Sequence, residues 1–433
     1  MKKYDEYKDS GVAWIGEVPK HWEILRGKYV LKILSGFPFD SQKFEFEDNG
    51  VYMPLIRIRD INGSSTEVYY SGSYPIESVV KTGEVLIGMD GDFNISKWKG
   101  TNALLNQRVC KLREDSSMNT HYAFYMLSSP LKAINSVTYA TTVKHLSVYD
   151  IYNAFIPVPP ISEQAAISTY LDTHCAKIDN LISIQQKRIA LLQELKQSVI
   201  THAVTKGLNP NVEMKQSGVE WIGDVPKHWE VCKLKHYSQV FGRIGFRGYN
   251  QTDLVNEGEG AITLSPSNMQ NGILNYDKCS YLSWKKYYES PEIMIYNDDV
   301  LFVKTGSTYG KISYVADLPM EATINPQIVV FKNIKGNNKY LYYLLSNDIV
   351  QMQVSLTVGG STIPTLSQES ILNYIVPLAP KVEQAAIASY LDHKCATIDT
   401  SISNAQHQIE LLQEYKQSLI TEVVTGKRKV TDN

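Results

Sequence analysis

Long apolar runs are missing from this 433-residue chain. Stretches such as Val85-Leu86-Ile87 hold only a few residues, whereas a membrane-spanning helix needs about 20. No membrane partner is expected. The first thirty residues carry charges throughout, so a secretory leader is not expected either, and the expected location is the cytoplasm. Cysteine is scarce, with five residues at 110, 175, 232, 279 and 395. That odd number, without any CxxC spacing, argues against a disulfide framework and a structural zinc site. Excess positive charge is missing as well: 43 Lys and Arg against 45 Asp and Glu give a net charge of -2. A small nucleic-acid-binding module is expected to be far more basic, although a local basic cleft balanced by acidic helices elsewhere remains compatible with DNA. What is present is a folding composition, 43% apolar and 20% charged. At roughly 100–200 residues per domain the length predicts two to four domains.

The chain repeats itself. SGVAWIGEVPKHWE at 10–23 returns as SGVEWIGDVPKHWE at 217–230, changed only at Ala13/Glu220 and Glu17/Asp224. A longer pair, opening EQAAI and carrying LLQE and KQS, occupies 163–207 and 383–427. Between these anchors the halves agree only in outline. Two copies are too few for a solenoid. Within the long pair, Leu171, Ile178, Leu192 and Val199 lie at multiples of seven, with Cys175, Ile182 and Ile189 in complementary positions. The second copy repeats this with Leu391, Ile398, Leu412 and Leu419, and with Cys395, Ile402 and Ile409. Such stripes predict amphipathic helices starting after the prolines at 157–160 and 377–380, about 40 residues each or roughly 60 Å. A lone helix with one apolar stripe needs a partner, and the other copy is the nearest. Antiparallel pairing is predicted.

The variable stretches, about 24–156 and 231–376, combine β-type runs such as Gly83–Ile87 and Asp299–Val303 with helical segments at Tyr122–Ser128 and Tyr340–Ser346. The expected class is therefore α+β, with boundaries at 1–157 (anchor and first globular domain), 158–207 (helix), 208–230 (linker and repeated anchor), 231–377 (second globular domain) and 378–433 (helix and tail).

Two unlike globular domains, each followed by a near-identical long helix, resemble the DNA specificity subunit of type I restriction-modification systems. The resemblance spans essentially the whole chain and includes the GW-like motif in each half (Lys20-His21-Trp22 and Lys227-His228-Trp229), the P-x-P lead into each helix, and the order of all parts. It implies two target recognition domains reading the halves of a split double-stranded DNA sequence. The two antiparallel helices would act as spacer and as docking surface, in a pseudo-two-fold repeat. It implies partner modification (methyltransferase) and restriction (endonuclease/translocase) subunits that carry S-adenosylmethionine, ATP and Mg, with no cofactor and no catalysis on this chain. The residues fit independently: a two-part target needs two different reading surfaces and a stiff separator.

Candidate DNA contacts follow from residue type. Arg57 and Arg59 sit on one face of a predicted extended segment, and Lys97-Trp98-Lys99 alternates cations around an aromatic. Arginine can grip guanine bidentately, lysine neutralises phosphates, and an indole can pack on sugar or base. In the second half, Arg243, Arg247 and Tyr249 occupy a glycine-rich loop, and Lys304, Thr305, Ser307, Tyr309 and Lys311 crowd donors after a predicted strand. The spacing is not that of a nucleotide-binding P-loop. Its first-half counterpart is 89–96, with only Gly91/Gly306 retained. Each site also admits a bland reading, as a solvated strand edge or a turn around a core tryptophan.

Enzyme signatures are weak. Asn325-Pro326-Gln327 matches the NPP[FY] of adenine methyltransferases in two residues only, and Asn106-Gln107 occupies the analogous place in the first half, so both asparagines read as structural. Cys175 and Cys395 fall on the heptad stripes and read as buried small hydrophobes; no metal site is expected. Two rivals stay open: a self-contained DNA methyltransferase or nuclease, separable by S-adenosylmethionine or metal binding, and a scaffold that does not bind nucleic acid, separable by salt-dependent duplex binding.

Overall fold

A computed structural model of the chain describes residues 3–138, 144–270, 272–358 and 364–430. The chain forms two compact units, one of Met1–Gln185 with His407–Asn433 and one of Gln186–Gln406. Each is assembled from an anchor, a globular domain, the first part of one long helix and the last part of the other.

In the first unit the anchor is a two-stranded antiparallel ribbon, Tyr7–Asp9 with Glu17–Pro19, that buries Ile15, Val18 and Trp22 completely. The chain then enters the globular domain through Glu23–Arg26 and leaves through Phe155–Val158, and these two strands pair antiparallel. Inside that clasp lie a four-stranded sheet, in the order Ile95–Lys97, Val85–Gly88, Val109–Arg113, Lys32–Ser35, and a five-stranded one in which Met53–Ile56 runs parallel to Ala103–Leu105. The strand Val85–Gly88 shows why the sheets stack. Side chains alternate across a strand, so Leu86 enters the layer between the sheets with Ile56, Trp98 and Leu105. Val85 and Ile87 face the opposite layer with the helix Thr120–Val137.

The second unit follows the same plan. Met214–Gln216 pairs with Asp224–Pro226, and Glu230–Lys233 pairs with Ile375–Leu378. The four-stranded sheet runs Gln239–Gly242, Ile328–Lys332, Val300–Val303, Ile312–Tyr314. Its partner sheet holds a parallel pair, Gly260–Leu264 with Ala322–Ile324. Leu301 and Val303 face the inter-sheet layer, whereas Val300 and Phe302 face the helical side.

The domain helices differ from expectation in length. The first is unbroken over 18 residues, capped by Asn119 and carrying Pro130. Its counterpart splits into Asn338–Ser346 and Asp348–Val358, because the Asn347 side chain accepts from the amides of Ile349 and Val350 and restarts the helix as a cap.

The long helices span Ile161–Lys206 and Lys381–Val424. In the first unit, Leu171, Cys175 and Ile178 share a core with Leu419, Ile420 and Val423. Asp179 pairs with Lys416 at 2.7 Å, while Trp22, bonded to Glu163 at one helix start, meets Gly426 just past the end of the other. Low numbers on one helix therefore face high numbers on the other, which makes the pair antiparallel. In the second unit, Leu391 and Cys395 share a core with Ile200, Ala203 and Val204, and Lys196 pairs with Asp399 at 2.7 Å. The two ion pairs involve the same repeat positions, 220 residues apart, with the roles of the helices exchanged. Leu171, Leu391, Ile178 and Ile398 are buried; Ile182, Ile189, Leu192, Ile402, Ile409 and Leu412 are half-buried.

Candidate nucleic-acid interface

Each globular domain is fixed to its helix by two devices. Glu163 accepts from His21 Nε2 (2.6 Å) and Trp22 Nε1 (2.9 Å), and Glu383 accepts from His228 Nε2 (2.6 Å) and Trp229 Nε1 (3.0 Å). The PKHW and EQAAI repeats are therefore two sides of one joint. Further along, Tyr125 donates to Asp172 and Tyr343 to Asp392, both at 2.7 Å. Burial pushes the Asp172 carboxyl up, but bonds from Lys97, Tyr125 and His121 outweigh it and leave the group below its ordinary range.

On this frame the sequence-predicted residues fall into engaged and available groups. Arg57 and Arg59 leave no extended segment: residues 57–60 form a turn, closed where the Asp60 carboxylate accepts the Arg57 amide at 2.9 Å. Both guanidinium groups converge on Glu67, at 3.1 and 3.5 Å; Arg59 remains exposed while Arg57 is mostly covered. Lys97 donates to Asp172 at 2.8 Å and lies over the Phe124 and Tyr125 rings, so it holds the domain to the helix. Trp98 is buried in the inter-sheet core, its Nε1 donating to the Thr101 carbonyl at 2.7 Å. Lys99, next to it, is exposed.

Arg243 is buried and pinned, its Nε donating to the Ile324 carbonyl and its Nη2 to Thr323, with the guanidinium over the Tyr249 ring. Burial pulls its pKa down. Arg247 pairs with Glu292 at 3.2 Å.

The Lys304–Lys311 loop is different. It connects Val300–Val303 to Ile312–Tyr314, with Gly306 at φ 103° and its amide donating to the Pro364 carbonyl. Ser307 is exposed, and Thr305, Tyr309 and Lys311 are half-buried. Lys304 is half-buried, and among the described residues no carboxylate pairs with it. Desolvation lowers its pKa, the condition of a cation that gains from an incoming anion. The counterpart loop at 89–96 keeps a left-handed glycine, Gly91 at φ 75°, but its chemistry is inverted: Asp90 meets His145 and Arg108. One loop presents a cation and the other an acid.

Asn106 and Asn325 each open a turn closed on their own carbonyls by the amides of Val109 (2.9 Å) and Ile328 (3.2 Å), while their side chains accept from different amides, that of Gln107 next in sequence (2.6 Å) and that of Gln327 two residues on (3.0 Å). Cys175 and Cys395 are buried, and no group of three metal-ligating side chains occurs among the described residues. A surface the sequence reading passed over is Trp284–Tyr288, where Trp284 stacks on the exposed Tyr288 beside Lys285 and Lys286. Interleaved aromatics and lysines were its signal.

The profile of the type I restriction modification DNA specificity domain matches residues 19–194 and 226–411. The chain belongs to this family. It is 27% identical over 417 residues to the EcoBI specificity subunit of Escherichia coli, covering 94% of this chain and 86% of that one. It is 25% identical to the MjaVIII specificity subunit of Methanocaldococcus jannaschii, covering 95% and 94%. A chain solved in work on complex assembly and conformational transition of the type I R-M system shares the fold, with a TM-score of 0.69 at 15% identity over 94% of this chain and 98% of that one. Two copies of the specificity domain, one per unit, account for the sequence repeat. Among the described residues no helix is long and apolar enough to cross a membrane.

Proposed function

We propose that this subunit reads a two-part double-stranded DNA target, one half per unit, and hands that specificity to modification and restriction subunits that carry the chemistry with S-adenosylmethionine, ATP and Mg. The observation that carries the reading is the contrast between two units of one plan whose corresponding loops, 89–96 and 304–311, differ in charge and partners. Two surfaces diverged on one frame are what two different half-sites require. Partner docking is supported by exposed apolar side chains on the helices, Leu191 and Leu195 in the second unit and their repeat counterparts Leu411 and Tyr415 in the first, all at least half exposed.

Two outcomes test this. Lys304→Ala, removing a phosphate contact, is expected to weaken binding to all duplexes alike and to reduce the slope of log K against log salt by about 1. An unchanged slope removes Lys304 from the interface, and duplex binding that is insensitive to salt overturns DNA reading altogether. The purified chain alone is expected neither to methylate nor to cleave duplex DNA. Turnover by the single chain, abolished by a point change within it, overturns the assignment of catalysis to partners.

A further inference from the structure

The two joints between anchor and helix are the same in sequence but not in occupancy. In the first unit the seat beside His21, Trp22 and Glu163 is filled from the N-terminal side by Tyr4. Its ring lies 5.6 Å from that of His21 and 5.9 Å from that of Trp22. Its hydroxyl donates to Glu163 Oε2 at 3.2 Å, the oxygen that also accepts Trp22, and Lys429 sits over the ring at 5.7 Å. Tyr4 is 9% exposed.

The anchors align with an offset of 207, as Trp22/Trp229 and the strands Tyr7–Asp9 and Met214–Gln216 show, so position 4 corresponds to Asn211. Asparagine is too short to reach the seat, and Asn211 is exposed, its amide turned to the Asn209 side chain. The rest of the joint is intact: His228 and Trp229 bond Glu383 at distances within 0.1 Å of their counterparts. What remains is a cavity of about 300 Å³ lined by Lys206, Leu208, Val212, His228, Glu383 and Ile387. The carboxylate reports the difference directly, since the Glu163 side chain is 18% exposed and that of Glu383 is 40%.

We propose that this cavity is a receptor for a tyrosine side chain presented by another polypeptide. The first unit shows the fit: a phenol ring between imidazole and indole edges, its hydroxyl on the glutamate, delivered by an extended segment three residues ahead of a strand. The second unit keeps Ile387, the counterpart of Ile167, and the acceptor Glu383, and it has the apolar Val212 where the first unit has Asp5; Lys206, which donates to the Asp224 carbonyl, lies at the edge. This unit adds a rim residue, Leu208, left 42% exposed, which gives an incoming chain apolar surface to cover. The carboxylate at the floor favours tyrosine over phenylalanine, because a hydrogen bond to a charged group is among the stronger ones. The proposal is independent of the DNA reading.

The test uses the full-length chain with its six tryptophans labelled at the indole nitrogen. N-acetyl-L-tyrosinamide is expected to shift one indole resonance saturably, with N-acetyl-L-phenylalaninamide about tenfold weaker. A capped peptide copying Lys3-Tyr4-Asp5-Glu6 is expected to bind at least as well as the amide. Asn211→Tyr, which supplies the missing plug in cis, should abolish the response, and Tyr4→Asn should open a second seat and make a second indole respond. No saturable shift, an undiminished shift in Asn211→Tyr, or equal binding of the phenylalanine amide overturns the assignment. Binding of the amide but not the peptide overturns the polypeptide occupant.

Discussion

Exchanging residues 231–376 for the matching segment of another specificity subunit is expected to change one half of the methylated sequence completely and leave the other half intact. The reason is the clasp. The first and last strands of the domain, Glu230–Lys233 and Ile375–Leu378, pair with each other through backbone hydrogen bonds, so the two junctions lie side by side and tolerate different side chains within. Glu383 and Trp229, which fix the domain to its helix, lie outside or at the edge of the exchanged segment and stay in place. Each wrong base pair costs about 1–3 kcal/mol, so a half-site altered at three positions loses at least about 150-fold in affinity. Methylated-base mapping in cells carrying the complete system reads the result. Both halves altered, or neither, would end the two-reader model.

Leu391→Ala is expected to cost about 2–5 kcal/mol of stability, the range for truncating a fully buried leucine. Leu391 is 0% exposed and packs in the core that unites the start of the second long helix with Ile200, Ala203 and Val204. Leu171 is its repeat counterpart in the first unit, equally buried, and the same change there should cost a similar amount. Leu191→Ala supplies the contrast. That side chain is 64% exposed, and its loss should stay within about 0.5 kcal/mol. Urea unfolding midpoints of the three variants decide the matter: equal losses at 191 and 391 would mean that the helices pair along a different stripe. Ile182 and Ile402, central in the heptad pattern, are only half-buried and make weaker probes.

Much of the fold was legible because it was written twice. A duplicated anchor, a duplicated heptad stripe and proline breaks before each stripe are local signals, and a 3.5-residue period identifies a paired helix wherever it occurs. Asn106 and Asn325 each open a local turn, and an asparagine bonded within its own turn needs no distant partner. The arginine pair at 57 and 59 failed as a strand because the Asp60 carboxylate closes a turn that propensity alone does not signal.

The sequence by itself determined the repeat, the α+β class, the two long helices and the family. Only the tertiary structure decided which candidate cations are available. Lys97 is held by Asp172, 75 residues away, and Arg243 by the Ile324 carbonyl, 81 residues away, whereas Lys304 meets no carboxylate among the described residues. Residue type fixes what a side chain can bind, but whether it is already bound depends on groups brought to it through space. The same holds for position 211: the absence of a tyrosine there is visible in the sequence, and the cavity beside it exists only because Leu208, His228, Glu383 and Ile387 assemble around it.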